Sequence, residues 1–397
     1  MGKRVVPTNK KILLGVTGSI AVYKSVELAR RLVEEGASVH VIMTDASRHF
    51  VAPLTFEVVS REKVSSDLYA DPLSHITLTA DADLMVVAPA TANAIGKFAH
   101  GIADDLLSTC MLSFKGTVII APAMNWRMYE NPVVQNNLRS LASHGVIQVG
   151  PDKGSLACGD DAVGRMSDIQ EIVEALKSAL TRKDLLGRRI LVTAGPTREY
   201  LDPVRFLSNR SSGKMGFAVA RAALRRGAKV TVVKGPTELK PPPQAEVISV
   251  ETALEMREAV LRNLECDALI MTAAVADFAP AVKREKKIEK SDVLSLDLMK
   301  NPDILSEVGR RNKRPLLVGF SAEAGPDLER ARRKRAEKGV DLMVFNDISS
   351  PGAGFDTDTN EITIIEKDGT TAFPLMPKDE VAGKILDRVA HLLLDFS

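Results

Sequence analysis

The stretch KILLGVTGSIAVYK, residues 11–24, decides the fold. An apolar run enters a turn marked by Gly15 and Gly18, and from Ser19 to about Glu35 the apolar positions Val22, Val26, Leu28, Ala29 and Leu32 follow a helical spacing. A strand that closes in a small-residue turn and passes into a helix is the repeating unit of a parallel α/β sheet. The glycines break the run well short of the ~20 apolar residues a membrane helix needs. No cleavage-like segment follows, so neither a membrane span nor a signal peptide is expected.

The unit recurs along the chain. In the first half it returns in SVHVIMT (38–44), DLMVVAPAT (83–91) and TVIIAPAMN (117–125). A second series runs through RILVTAGPT (189–197), KVTVVKGPT (229–237), DALIMTAAVADF (267–278), PLLVGFSAE (315–323) and DLMVFND (341–347). It closes in EITIIEKDGTTAF (361–373), which predicts an edge hairpin turning at Asp368-Gly369. Between the series, in TRKDLLGRR, charge replaces periodicity. At roughly 150 residues per domain a chain of 397 is too long for one core, so two domains are expected, residues 1–186 and 187–397. Each is α/β with a doubly wound, mainly parallel sheet.

Composition excludes several functions. An apolar share of 45%, a charged share of 26% and a net charge of only +2 argue against disorder and against a nucleic-acid partner. Cys110, Cys158 and Cys266 lie far apart with no C-x-x-C pair, which argues against a disulfide framework or zinc site and fits a reducing cytoplasm.

In doubly wound sheets, ligands bind beyond the carboxyl ends of the strands, where backbone amides and helix N-termini face an anion. Four strand ends of the first half carry suitable residues: Gly18 and Ser19; Thr44; Thr91, Ala92 and Asn93; and Ala123. The first turn is not G-x-G-x-x-G, and alone it reads equally well as a capped turn. Asn125, at the fourth strand end, offers a donor and an acceptor to a carboxylate or amide. His75 precedes the third strand and can exchange protons near neutral pH, while Cys158 sits between glycine-rich turns in KGSLACGDDAVGRM, as on a flap. Singly these three are ordinary structural residues. Together they form an acid/base set beside a cofactor.

In the second half a long loop, TAGPTREYLDPVRFLSNRSSGKMG (193–216), leads to a helix expected from about Gly216. Gly195, Thr197, Ser211, Ser212 and Gly213 can present amides and hydroxyls, and Arg198, Arg205, Arg210 and Lys214 can neutralise phosphate. Asp277, at a strand end, can help to hold Mg2+, and Lys283, Lys286, Lys287 and Lys290 follow it. Lys334 and Lys338 share one face of a basic helix at i,i+4 spacing. Such cations otherwise read as a solvated surface.

At this point two resemblances are specific. G-x-T-G-S-I-A, A-P-A-M-N-x-x-M and A-C-G-D-x-x-x-G-R-M, with His75 between the first two, resemble phosphopantothenoylcysteine decarboxylase of the flavin-dependent cysteine decarboxylase family, over about Lys11 to Ser167. The resemblance implies a flavoprotein-like fold and an FMN cofactor at the strand-end residues. It also implies His75 as catalytic base, Asn125 as substrate anchor and Cys158 as proton donor. FMN suits this chemistry because oxidising the thiol carbon first creates an electron sink for decarboxylation. The related flavin prenyltransferases share a similar phosphate loop but not the cysteine flap.

S-N-R-S-S-G-K-M-G, A-A-V-A-D-F, K-N-P-D-I-L and G-F-S-A-E are similar to bacterial CTP-using phosphopantothenate-cysteine ligases, from about Gly187 to Asp387, and imply a Rossmann-like ligase domain. That likeness places CTP against Ala273, Ala274, Val275, Asp277, Lys287, Pro302, Asp303, Ile304, Leu305, Phe320, Lys334 and Lys338. It implies that the carboxylate of 4'-phosphopantothenate attacks the α-phosphate, that Asn209 positions the acyl-cytidylate, and that cysteine displaces CMP. The family's K-I-K-K element stands here as Lys287-Ile288-Glu289-Lys290, so only the first and last lysines remain. Self-association is also implied, trimeric from one half and dimeric from the other, which together permit a homo-oligomer as large as a dodecamer. A nicotinamide-dependent reductase or epimerase, and a non-catalytic flavin-binding regulatory protein, are the rival readings. The first lacks a dinucleotide fingerprint, and the second leaves His75, Asn125 and Cys158 without a purpose.

Overall fold

The structure, a computed structural model, describes residues 10–155, 159–289, 295–323, 325, 327–349, 352, 354 and 356–395. The chain divides into two compact units, Met1–Thr181 and Arg182–Ser397. This division falls slightly before Gly187 because Leu185 is buried in the core of the second unit and Asp184 pairs with Arg226 at 2.6 Å.

The first unit runs β1 (Lys11–Val16), α1 (Val22–Glu34), β2 (Ser38–Met43), α2 (Asp45–Arg48), α3 (Pro53–Ser60), α4 (Ser74–Ala80), β3 (Leu84–Ala90), α5 (Ala92–His100), α6 (Leu106–Ser113), β4 (Thr117–Pro122), α7 (Trp126–Tyr129), α8 (Pro132–Ser143), β5 (Ile147–Gln148), β6 (Asp152–Ser155), β7 (Asp161–Arg165) and α9 (Ile169–Leu180). Five parallel strands stand in the order β2-β1-β3-β4-β5. Because side chains alternate along a strand, Ile12, Leu14 and Val16 meet Leu28 and Ile172 on one face, while Leu13 joins Ile95 and Leu107 on the other. Both faces are covered, as a parallel sheet requires. Gly15 lets α6 approach: a Cβ there would lie 2.6 Å from Leu107 Cδ1. Under the sheet, the buried Glu35 and Lys177 pair at 3.2 Å and tie α1 to α9.

The second unit runs β8 (Arg189–Ala194), β9 (Arg198–Tyr200), β10 (Phe206–Ser208), α10 (Lys214–Arg225), β11 (Lys229–Lys234), β12 (Glu246–Ser249), α11 (Ala253–Arg262), β13 (Ala268–Met271), β14 (Phe278–Pro280), β15 (Leu298–Lys300), α12 (Ile304–Gly309), β16 (Leu316–Glu323), α13 (Leu328–Glu337), β17 (Leu342–Asp347), β18 (Thr359–Ile365), β19 (Thr370–Pro377) and α14 (Lys378–Asp395). Its eight-stranded sheet has the order β12-β11-β8-β13-β16-β17-β18-β19, parallel as far as β17. The six parallel strands follow the doubly wound dinucleotide-fold order, with a switch point between β8 and β13. The last two strands form the expected edge hairpin, closed by Glu366 N–H donating to the Gly369 carbonyl at 2.9 Å. Helix α10 starts at Lys214, earlier than expected, because Gly213 (φ +77°) forms its N-cap. Outside the main sheet, β9 pairs with β10 and β14 with β15 as antiparallel ribbons. Among the described residues no helix is long and apolar enough to cross a membrane.

Candidate functional sites

In the first unit the ends of β1, β2, β3 and β4 open onto a cavity of about 560 Å³. Gly18, Ser19, Thr44, Thr91, Ala92, Asn93 and Ala123, from four separate sequence segments, all line it. The strand order explains why. β1 lies between β2 and β3, so the connections after β1 and β3 leave on opposite faces and part at the switch point. A Cβ on Gly18 would meet Ala46 Cβ at 2.6 Å, so the glycine allows the β1 turn to lie directly on the segment after β2. Thr91 caps α5, accepting from Ala94 N–H at 3.4 Å, and the first turn of that helix faces the cavity.

Thr17, Lys97, Asp104 and Asp105 also line the cavity, and the motif reading passed over them. Thr17 is buried, donates to the Pro89 carbonyl at 2.8 Å and accepts from Thr91 N–H at 3.0 Å, joining two strand ends. A threonine held between a strand and Gly18 was the available signal. Lys97 meets Asp104 at 2.6 Å and Asp105 at 3.0 Å. Burial pulls its pKa down, but both carboxylates outweigh that and hold it above the ordinary lysine value.

His75 and Asn125 stand apart from that lining. Asn125 caps α7, its Oδ1 accepting from Arg127 N–H at 2.9 Å, next to Ala123 and Met124 of the cavity wall. His75 lies on the short α4, where its buried Nδ1 has no hydrogen-bond partner among the described residues, an arrangement that costs stability unless another group supplies one. Cys158 lies outside the described residues. The flanking strands β6 and β7 form an antiparallel hairpin seated beside Asn125. Gly164 accepts from Met124 N–H at 3.0 Å, and a Cβ on Gly164 would strike the Met124 carbonyl at 2.2 Å. Trp126 Nε1 donates to Asp160 at 2.8 Å.

In the second unit the loop after β8, Asn209 and the A-A-V segment after β13 meet at the switch point. Pro196 bridges to Ala274, and Ala274 N–H donates to the Gly195 carbonyl at 3.0 Å. The buried Thr197 hydroxyl accepts from Ala276 N–H at 3.0 Å. Asn209 Nδ2 donates to the carbonyls of Val275 at 2.9 Å and Ala274 at 3.4 Å, so Asn209 and the A-A-V segment form one body. Helix α10 presses close because a Cβ on Gly216 would meet Ala194 Cβ and Thr272 Oγ1, each at 2.6 Å.

Asp277 is exposed and begins the β14–β15 ribbon, several residues beyond the end of β13. Among the described residues no three acidic, histidine or cysteine groups cluster for a metal. Asp303 caps α12 at 3.0 Å from Ser306 N–H and pairs with Lys338 at 3.0 Å. Lys334 pairs with Glu323, which also accepts from Ser321 at 2.9 Å. Burial alone would raise the Glu323 pKa; Lys334 and Ser321 outweigh it and hold it below the usual value. Arg210 meets Asp356 at 3.3 Å and Lys214 meets Asp358 at 3.0 Å. Four cations assigned to phosphate on sequence are thus already paired within the protein. Pro302, Ile304 and Leu305 lead into and form the start of α12; Ile304 and Leu305 are buried while Phe320 on β16 is partly exposed. Lys287 is exposed, and Lys290 lies outside the described residues.

Comparison with known proteins agrees with the division of the chain. Residues 4–181 match the model of the Flavoprotein family, and residues 185–393 that of the DNA/pantothenate metabolism flavoprotein C-terminal domain. The Coenzyme A biosynthesis bifunctional protein CoaBC of Bacillus subtilis (strain 168) is 45% identical over 395 residues, covering 97% of each chain. The protein of the same name from Escherichia coli (strain K12) is 45% identical over 392 residues, covering 96% of each. The crystal structure of the C-terminal domain of a Coenzyme A biosynthesis bifunctional protein CoaBC is 41% identical, with a TM-score of 0.47, and covers 54% of this chain and 99% of that one.

Proposed function

The chain belongs to the family of coenzyme A biosynthesis bifunctional proteins, and on that premise we propose that its first unit is an FMN-dependent phosphopantothenoylcysteine decarboxylase and its second a CTP-dependent phosphopantothenate-cysteine ligase. The observation that carries the reading is the convergence of seven motif residues from four strand ends on one cavity at a switch point. At about 560 Å³ that cavity lies within the ~300–1,000 Å³ typical of small-molecule sites.

The residues fit FMN. Ser19, Thr44 and the first turn of α5 offer hydroxyls and helix-end amides to a phosphate, and Ala92 and Ala123 leave room for a flat ring. When bound, FMN supplies the electron sink that makes carboxylate loss feasible. The His75 imidazole takes the substrate proton, Asn125 holds the end of the substrate, and Cys158 returns a proton to the enethiolate.

In the second unit, a carboxylate oxygen of 4'-phosphopantothenate attacks the α-phosphorus of CTP and pyrophosphate leaves. The amine of cysteine then attacks the acyl carbon and CMP leaves. Asn209, held by its Nδ2, orients the acyl-cytidylate with its remaining acceptor. Lys287, Lys334 and Lys338 offset phosphate charge. Asp277 would help to hold Mg2+, which would offset the phosphate charge as pyrophosphate leaves. Trimeric contacts in one unit and dimeric contacts in the other complete a homo-oligomer.

One experiment tests both halves. Purified protein should be yellow and should convert 4'-phosphopantothenate and cysteine to 4'-phosphopantetheine with CTP and Mg2+, read by mass. Colourless protein that cannot be reconstituted with FMN defeats the first assignment; amide formation without any nucleotide defeats the second.

A further inference from the structure

Lys287 is exposed, but the chain beside it is not loose. Between β9 and β10 the backbone turns through Asp202, whose side chain is fully buried. Its Oδ1 accepts from the N–H groups of Val204 at 2.7 Å and Arg205 at 2.8 Å, which closes the turn. Its Oδ2 reaches a distant part of the sequence and accepts from Ile288 N–H at 3.1 Å. Arg205 Nη1 holds the same residue from its other side, donating to the Ile288 carbonyl at 3.2 Å. Arg284 N–H adds a bond to the Leu201 carbonyl at 2.9 Å. The Ile288 side chain is buried between exposed Lys287 and Glu289. Burial opposes the Asp202 charge, yet the N–H groups and the Arg205 guanidinium outweigh it and hold its pKa below the usual carboxylate range, so the acceptor stays ionised at neutral pH.

We infer that Asp202 is a positioning residue for amide formation: it fixes the Ile288 backbone so that Lys287 reaches the nucleotide from one defined point of the chain. The inference rests on the reading of Lys287 as a ligase residue. A lysine carries its charge on a flexible stem, so any freedom in its backbone adds directly to the spread of its ammonium. Bonds to both the N–H and the carbonyl of the next residue remove that freedom. The same short ribbon ends at Asn209, which is tied to Ala274 and Val275, so one turn sets the place of both groups.

Asp202→Asn tests this in the full-length protein, because the amide keeps an acceptor for the turn but can present N–H to N–H at Ile288. The ligase kcat should fall about 10–100-fold, with KM for CTP changing far less, as expected when a reacting group is misplaced. In a Lys287→Gln background the same change should cost almost nothing more. Hydrogen exchange at residues 287–289 should quicken. Wild-type ligation by Asp202→Asn, or a loss that simply adds to that of Lys287→Gln, overturns the proposal. Should Asp202→Asn fail to fold, Ile288→Pro, which removes the donor and leaves the turn alone, decides it: a comparable ligase loss supports the proposal and intact ligation overturns it. Unchanged ligation by Lys287→Gln alone identifies a different failure, that of the reading of Lys287, and the role of Asp202 falls with it.

Discussion

The two sites are built on the same kind of sheet but to different plans. In the first unit, residues from four strand ends meet at one cavity that needs no rearrangement to exist. In the second, the groups sit on ribbons and helix ends, and four of the cations are held by Glu323, Asp303, Asp356 and Asp358. A cofactor kept through many turnovers favours a rigid site, because little ordering cost is then spent on each binding event. A nucleotide that enters and leaves on every cycle favours cations that exchange one anionic partner for another. The contrast suggests that rigidity follows residence time.

The largest expected effect bears on the second plan. Lys287→Gln keeps length but removes the cation, and ligation should fall roughly 100–1,000-fold, as when one charge-stabilising donor is lost. Decarboxylation of supplied phosphopantothenoylcysteine should hold. Separate assays check this, and equal loss of both activities would point to an assembly defect.

The first plan can be broken at Gly18. A Cβ there meets Ala46 Cβ at 2.6 Å and the Ala46 carbonyl carbon at 3.0 Å, so backbone must move at the cavity wall. With about 1–3 kcal/mol of overpacking, Gly18→Ala should weaken FMN binding by roughly 5–150-fold, read by flavin retention on a desalting column. Full retention would mean that the cavity adapts and is not rigid.

Ion-pair exchange is sharpened by Glu323→Gln, which frees Lys334. Partly exposed pairs contribute up to about 1 kcal/mol, so KM for CTP should fall roughly 2–5-fold if pairing competes with phosphate. A rise in KM would show instead that the carboxylate aims the lysine.

The smallest effect concerns Lys378, whose Nζ donates to the carbonyls of Gly354 at 2.9 Å and Thr357 at 2.7 Å, beneath the acidic segment that holds Arg210 and Lys214. Burial, helped by Lys214, lowers its pKa to about 8 from the ordinary 10.5. The folded chain therefore binds fewer protons than the unfolded one between those values, so this group makes stability rise with pH across that window. Urea midpoints at pH 7.5 and 9.5 should diverge between the native chain and Lys378→Met; parallel curves would remove Lys378 from the account.

The fold class could be read from the sequence because parallel strands buried on both faces leave unbroken apolar runs, as in LMVVAPA of β3, every residue of which is buried. The strand-end residues of the first cavity were legible for the same reason: the end of a strand fixes where a side chain can go. The ribbons were not. The β9–β10 and β14–β15 pairs are three residues per strand, too short for a periodic signal, and depend on single long-range bonds such as Asp202 to Ile288. The same limit hid the internal partners of Lys334 and Lys338. A basic helix face reads alike whether it meets phosphate or a carboxylate far away in sequence.

One feature of the second sheet bears on how the protein behaves when concentrated. Its last strand, β19, is eight residues long and would otherwise be an adhesive edge, able to recruit a strand from a neighbour. Pro374 and Pro377 lie within it, and neither has an N–H to offer. The opposite edge, β12, is only four residues and begins with a glutamate. Both margins thus discourage fibre-like stacking of the open eight-stranded sheet, copy against copy.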